Sequence, residues 1–399
     1  MSLNHKVIIT NTNISGHSVR MCATVSERRL LEVRCRRQDA KSILGNIYVG
    51  RVQKILPNIQ AAFIEIAPGL SCYYSLEEKA QPVFVKKIPS KKLVQGDELL
   101  VQVTRENVKT KAPTVSSNLN VTGRYLVLTS GDCRLGFSAK LNKSEKEHLR
   151  ALLERKWDQS FGIIVRTNAR EVPADILLAE YHQLKEKLHT ICKTASMRTC
   201  FSCISRTPEN YMTYLQNSYQ EGFSEIITDL PDVYDEVQQQ QLSDPFLARI
   251  PLRLYEDKML PLAALYNLNK QTEDALQKKV WLKSGGYLVI EPTEALTVVD
   301  VNTGKSITKK NRQEHFLKIN LEAAEETAAQ LRLRNISGIV IIDFINLEQE
   351  EDQQTVMEHL RRCIRNDSVP VQVIDMTKLN LVELTRKKVE KSLAEQLTE

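Results

Sequence analysis

The most constraining feature of this chain lies between residues 280 and 345, where short β-rich runs alternate with one long amphipathic helix. "YLVIEP" and "ALTVVDV" read as strands, "HFLKINLEAAEETAAQLRLR" as a helix, and "IVIIDF" as a strand again. Along the helix, Leu317, Leu321, Ala324, Ala328 and Leu331 alternate spacings of four and three, which predicts one apolar stripe. Asn335 and Gly338 are stop signals for it, and the wholly apolar strand that follows is expected to be buried. A further helix ("QQTVMEHLRRCIR"), a strand ("VPVQVID") and a basic helix around "TRKKVEK" complete an expected α/β region over 280–399.

Two aspartates end strands in this region, Asp300 in "LTVVDVNTGKSITKK" and Asp343 in "GIVIIDFINL". The "TGKS" that follows Asp300 suggests a P-loop, but that motif needs a glycine where Val299 stands, so the reading fails. In open α/β sheets, ligands gather at the carboxyl ends of strands. Two such strands lying side by side would bring both carboxylates to one edge, an arrangement that suits magnesium with its retained waters and a phosphate. Asn302, two residues beyond Asp300, could orient a water or a phosphate oxygen. The spacing leaves a second reading open, in which each aspartate caps a turn. The seven histidines are scattered, and His315 and His359 fall in helical patterns where a surface role is expected.

Composition limits the alternatives. At 399 residues the chain is long enough for about two to four domains, each with its own core. Its 42% hydrophobic and 26% charged content is that of a soluble globular protein, and a net charge of +6 imposes no overall polyanion-binding character. Local basic clusters such as "RRLLEVRCRR" and "VKKIPSKK" are compatible with a polyanion partner. The N-terminus lacks a long apolar segment, so a cytoplasmic location is expected. Eight dispersed cysteines form no disulfide framework; the Cys200–Cys203 pair has metal-ligand spacing, but alone it is expected to be reduced and structural.

Upstream, the first 35 residues alternate apolar and polar, predicting a small antiparallel sheet. From Gly45 to about Leu128, short runs broken by Pro and Gly predict a closed β-barrel. From about Leu128 to Arg206, strands alternate with helices, one opening near Pro173. Residues 207–280 are polar, with a Gln run at 238–241.

Three stretches, "GNIYVGRVQKILPNIQAAFIEI", "SGGYLVIEPTEALTVVDVNTGK" and "NLEAAEETAAQLRLRNISGIVIIDFINL", resemble the ribonuclease E/G family of bacterial endoribonucleases, in family order over nearly the whole chain. The resemblance implies an RNase H-like subdomain split between residues 1–40 and 207–279, with two modules inserted into it. These are an OB-fold RNA-binding module at 41–120 and a 5′-end sensor at 121–206; a DNase I-like catalytic subdomain follows at 280–399. It implies that Asp300 and Asp343 hold Mg2+, with Asn302 beside them, for hydrolysis of single-stranded RNA to 5′-phosphate and 3′-hydroxyl ends. The implied processes are rRNA or tRNA maturation or mRNA decay. Phe63, Tyr73 (where the family usually has phenylalanine) and Lys111 fall at RNA-contacting positions, since an OB surface stacks bases on aromatics and tracks the backbone with cations. Without the resemblance, Phe63 would be read as barrel core. Arg166 and Thr167 match residues that grasp a 5′-monophosphate, chemistry that suits a guanidinium fork and a hydroxyl.

The chain also departs from the family pattern. Pro370 stands where the sensor usually draws an arginine, so dependence on the 5′-monophosphate is expected to be weaker. The loop after Gly304, usually glycine-rich and acidic, is basic and polar here, and Asn346 replaces a frequent acidic residue. Longer members continue into a zinc-sharing cysteine pair and a small dimerisation domain; the sequence ends at Glu399, so a homo-oligomer is conceivable but a zinc-linked dimer is not expected. A non-cleaving RNA-binding or ribosome-associated protein, or a DNA-directed nuclease on the same scaffold, are the competing readings.

Overall fold

The structure, a computed structural model, describes residues 5–38, 42–78, 80–90, 92–106, 112–131, 133–154, 157, 159–208, 210–217, 223–304, 312–365 and 367–398. The chain forms two compact units, residues 1–40 with 210–399, and residues 41–209.

In the first unit, His5–Ile14, His17–Ser26 and Arg29–Arg37 form the expected antiparallel meander. The sheet does not stop there. Glu225–Thr228 joins parallel to the first strand, Ile8 opposite Ile227, and Leu252–Leu254 joins beyond it. Local alternation carries no signal for a partner so distant in sequence, because a parallel neighbour requires a long crossover. Ile8, Met21, Ala23 and Val25 pack with Leu393 and Leu397 of the terminal helix Leu393–Thr398.

The second sheet of this unit runs in the order Lys279–Trp281, Tyr287–Pro292, Leu296–Asn302, Gly338–Asp343, Leu381–Arg386, Val371–Met376. Helices Arg312–Leu333 and Glu350–Ile364 build one core with one face of it. Leu288, Ile290, Val299, Val340 and Ile342 meet Phe316, Ile319, Ala323, Val356 and Leu360 there. Each of these buried Val, Leu, Ile and Phe side chains contributes about 1.5–3 kcal/mol.

Three expectations are corrected here. The "IVIIDF" strand is buried on one side only: Val340 and Ile342 are fully buried while Ile339 is 48% exposed, because this core lies on one face of the sheet. The helix buries Phe316, Ile319, Asn320, Ala323, Ala324, Thr327, Ala328 and Leu331, whereas Leu317 and Leu321 are only partly buried. Packing against both a sheet and a second helix widens and rotates the buried arc. Finally, the basic tail is not one helix: Thr385 and Arg386 end a strand that inserts between Gly338–Asp343 and Val371–Met376.

The second unit holds a closed five-stranded, OB-like barrel. Ile47–Leu56, Ala61–Ala67, Leu70–Ser75, Thr114–Ser116 and Glu98–Arg105 pair in turn, and the ring closes through Tyr48 opposite Val101. Gly50 permits the closure, since a Cβ there would lie 2.5 Å from Ile64 Cγ2. Beside the barrel, a four-stranded sheet ordered Asn120–Thr122, Leu126–Thr129, Gly162–Val165, Leu135–Phe137 packs on Leu177, Tyr181 and Leu188 of helix Ala174–Ala195. No described helix is long and apolar enough to cross a membrane.

Candidate active site

The two strand-end aspartates come together. Leu296–Asn302 and Gly338–Asp343 run parallel in register from Leu296 opposite Ile339 to Asp300 opposite Asp343. Neighbouring strands lie about 4.8 Å apart and directly paired residues point to the same face, so both carboxylates leave one sheet edge on one side. Both residues are exposed. Burial around the carboxyl, and then the charge of Asp300, raise the Asp343 pKa above the ordinary aspartate value. Asn302 Nδ2 donates to Asp300 Oδ2 at 2.8 Å and orients that carboxylate. Among the described residues, no Lys, Arg or His forms an ion pair with either aspartate, although ion pairs are frequent elsewhere in the unit.

Two uncompensated carboxylates, a neighbouring amide and free access for water suit a hard divalent cation that keeps most of its waters. Among the described residues, no cluster of three or more His, Cys, Asp or Glu side chains forms a closed metal cage.

Asn320, fully buried on the Arg312–Leu333 helix, was not singled out from sequence. Its Nδ2 donates to Ile345 O at 2.7 Å and its Oδ1 accepts from Ile345 N at 3.0 Å. The amide thereby clamps the chain two residues beyond Asp343. The available signal was a polar amide beside the apolar stripe, which reads locally as a poor helix former and nothing more. Asn346 is exposed and accepts from Asn380 Nδ2 at 3.3 Å. On the other side, Gly304 adopts φ +66° with Gly285 O at 2.2 Å from a would-be Cβ, so only glycine fits. Much of the basic loop that follows, residues 305–311, lies outside the described residues.

The barrel positions behave differently from a core reading. Phe63 and Tyr73 are directly paired across strands, with ring centroids 6.3 Å apart in an edge-on arrangement. They alternate with buried Ala62, Ile64, Cys72 and Tyr74, so both rings sit on the outer surface. Lys54 Nζ lies 4.9 Å from the Phe63 ring centre, a cation that sequence reasoning missed because only strand pairing brings it there. Lys111 lies outside the described residues.

Arg166 and Thr167 follow the Gly162–Val165 strand. Arg166 Nη1 donates to Gly123 O at 2.6 Å, and Thr167 Oγ1 lies 2.8 Å from Ser138 Oγ. Glu180 accepts the backbone N–H groups of Arg124, Tyr125 and Leu126 at 2.7, 2.8 and 2.8 Å, fixing the turn opposite Arg166. Burial lowers the pKa of the Arg166 guanidinium; the Glu180 charge opposes this and Arg124 adds to it. Cys200 and Cys203 make weak contacts with the Val49 and Ser205 carbonyls.

Fold and site thus define a mixed α/β protein with an OB-like barrel in one unit and an acidic strand-end pair in the other. A model of the Ribonuclease E/G family matches residues 120–389. Ribonuclease G of Haemophilus influenzae is 32% identical over 96% of this chain and 79% of its own length. Ribonuclease G of Escherichia coli K12 is 31% identical over 91% of the chain and 76% of its own. Ribonuclease E of Synechocystis is 34% identical over 88% of the chain, which spans only 53% of that relative. The chain belongs to the ribonuclease E/G family.

Proposed function

We propose that this protein is a magnesium-dependent endoribonuclease acting on single-stranded RNA, leaving 5′-phosphate and 3′-hydroxyl ends. The in-register pairing of Asp300 with Asp343 carries the reading. Neither charge has a protein counter-ion among the described residues, which leaves room for a hard cation. Asp300 and Asp343 would hold magnesium, which supplies charge stabilisation at a phosphoryl oxygen and a more acidic bound water. Asn302 restrains the Asp300 carboxylate, and Asn320 holds the turn that carries Asp343. Phe63, Tyr73 and Lys54 offer a stacking and cationic surface of the kind OB modules use for single strands, and Lys111 is assigned an RNA-contacting role with them.

Arg166 and Thr167 are assigned to the 5′-monophosphate, with reduced dependence because Pro370 replaces an expected arginine. The same reading takes residues 1–40 with 207–279 as RNase H-like, 41–120 as the OB module, 121–206 as the sensor and 280–399 as DNase I-like. It places the protein in the cytoplasm, in rRNA or tRNA maturation or mRNA decay. The relatives' names, ribonuclease G and ribonuclease E, support an RNA substrate.

The test uses purified protein and Asp343→Asn with a 5′-monophosphorylated single-stranded RNA, in magnesium and in EDTA. Internal cuts that disappear in the variant and in EDTA are expected. Magnesium should also raise the melting temperature of the wild type and not of the variant, since only a bound ligand stabilises the native state. Tight RNA binding with no magnesium-dependent cuts would move the assignment to a non-cleaving RNA-binding protein. A 5′-hydroxyl RNA then tests Arg166.

A further inference from the structure

The open face of the six-stranded sheet carries a second feature. Its edge strand, Lys279–Trp281, pairs Trp281 opposite Tyr287 and Lys279 opposite Val289. The next strand continues the rows, Tyr287 opposite Asn302 and Val289 opposite Asp300. Since paired residues share a face, Lys279, Trp281 and Tyr287 stand on the same side of the sheet as Asp300, Asn302 and Asp343. The opposite side, with Leu288, Val299, Val301 and Val340, is the core.

Trp281 is 66% exposed, on an edge where a folded monomer gains nothing from a bare indole. Its ring centre lies 5.3 Å from that of Tyr287, and Lys279 Nζ lies 4.0 Å from the one and 3.6 Å from the other. Among the described residues, Lys279 has no carboxylate partner, whereas its neighbour Lys278 is bound to Glu291 at 2.7 Å. An exposed indole, a half-exposed phenol and an unneutralised ammonium make up the chemistry that holds an unpaired base and its phosphate. Two strand spacings separate Trp281 from Asn302, about 10 Å, within reach of one single strand lying over the carboxylate pair.

We propose that Trp281, Tyr287 and Lys279 form a stacking platform for an unpaired base of the RNA whose backbone lies at Asp300 and Asp343. The platform positions a nucleotide flanking the scissile phosphate and favours single strands over duplexes, because a base within a helix presents no free face. This rests on the ribonuclease reading for the identity of the strand.

The chain has two tryptophans, so Trp157→Phe leaves Trp281 as the sole indole. In a Trp157→Phe, Asp343→Asn protein, a single-stranded RNA should quench indole emission saturably, and the same sequence as a duplex should not. In the active protein, Trp281→Ala should weaken RNA use by about 5- to 50-fold, falling on KM more than on kcat, with Trp281→Phe recovering most of it. Lys279→Gln should give a smaller loss that shrinks at high salt. The platform is overturned by absence of saturable quenching, or by wild-type KM in Trp281→Ala. Quenching by RNA in a protein whose wild type cuts nothing would uphold the platform and sink the nuclease reading instead.

Discussion

The two ends of the Gly338–Asp343 strand treat charge in opposite ways. At the amino end, Gly338 lies opposite Arg386, whose side chain is 3% exposed beside a 2% exposed Asp367. The Arg386 guanidinium donates to Asp367 Oδ2 at 2.9 Å and Oδ1 at 3.2 Å, to Asn335 Oδ1 at 2.8 Å and to Ile336 O at 3.0 Å. At the carboxyl end, Asp343 faces another carboxylate across the ladder and no described cation pairs with either. A buried charge must be compensated within the protein, whereas an exposed like-charged pair is tolerated because water solvates it. The amino end locks the sheet and the carboxyl end is left uncompensated among the described residues.

The largest expected effect breaks the locked end. Arg386→Met should destabilise the protein by about 3–5 kcal/mol in urea unfolding, since Asp367 is left charged and buried. Adding Asp367→Leu should recover much of that loss; if it does not, the pair is not what holds this end. At the carboxyl end, the proposed active site predicts that Asp343→Asn costs roughly 100- to 1000-fold in RNA cleavage, as when one charge-stabilising group is removed from a reacting centre. Without divalent cation it should melt no lower than wild type, because it removes a repulsion.

Asn320→Ala falls between these extremes. It leaves Ile345 N–H and C=O unsatisfied, an expected cost of about 1–3 kcal/mol, and cleavage should drop about 10- to 100-fold as the turn after Asp343 loosens. Unchanged magnesium affinity with normal cleavage would show that the clamp plays no part in the site. The smallest effect concerns the other unit, where fully buried Asp97 accepts from Lys87 Nζ at 2.7 Å, Ile88 N at 2.8 Å and Val94 N at 2.9 Å. Burial pushes the Asp97 pKa up, but these donors outweigh it, so it lies below the ordinary 3.8. A depressed carboxylate contributes stability that is present above its unfolded value and lost as pH falls through the folded one. Asp97→Asn should therefore flatten the acid limb of unfolding below pH about 4, and leave the pH 5–8 range without slope.

Local patterns made several features legible. Alternation over the first 35 residues announced the meander, and short β-rich runs broken by Pro and Gly announced the barrel, because both signals need only the chain's own neighbours. The strand-end positions of Asp300 and Asp343 were legible because a run of β-formers ends at each, and the family resemblance implied roles that spacing could not. The Leu381–Arg386 strand was missed because a basic run hid a six-residue alternation, and the burial of Arg386 depends on Asp367, nineteen residues away in sequence.

By itself, then, the sequence determined the alternating strands and helices of residues 287–376, the acidic residues at two strand ends and the membership of a family. Tertiary structure alone decided which strands became neighbours, that Asp300 stands opposite Asp343, that Asn320 turns inward to hold Ile345, and that Phe63 faces outward beside Lys54. The physical reason is range. Periodicity and turn chemistry act over a few residues, whereas pairing, desolvation and charge compensation depend on groups that only the folded chain brings within reach of each other.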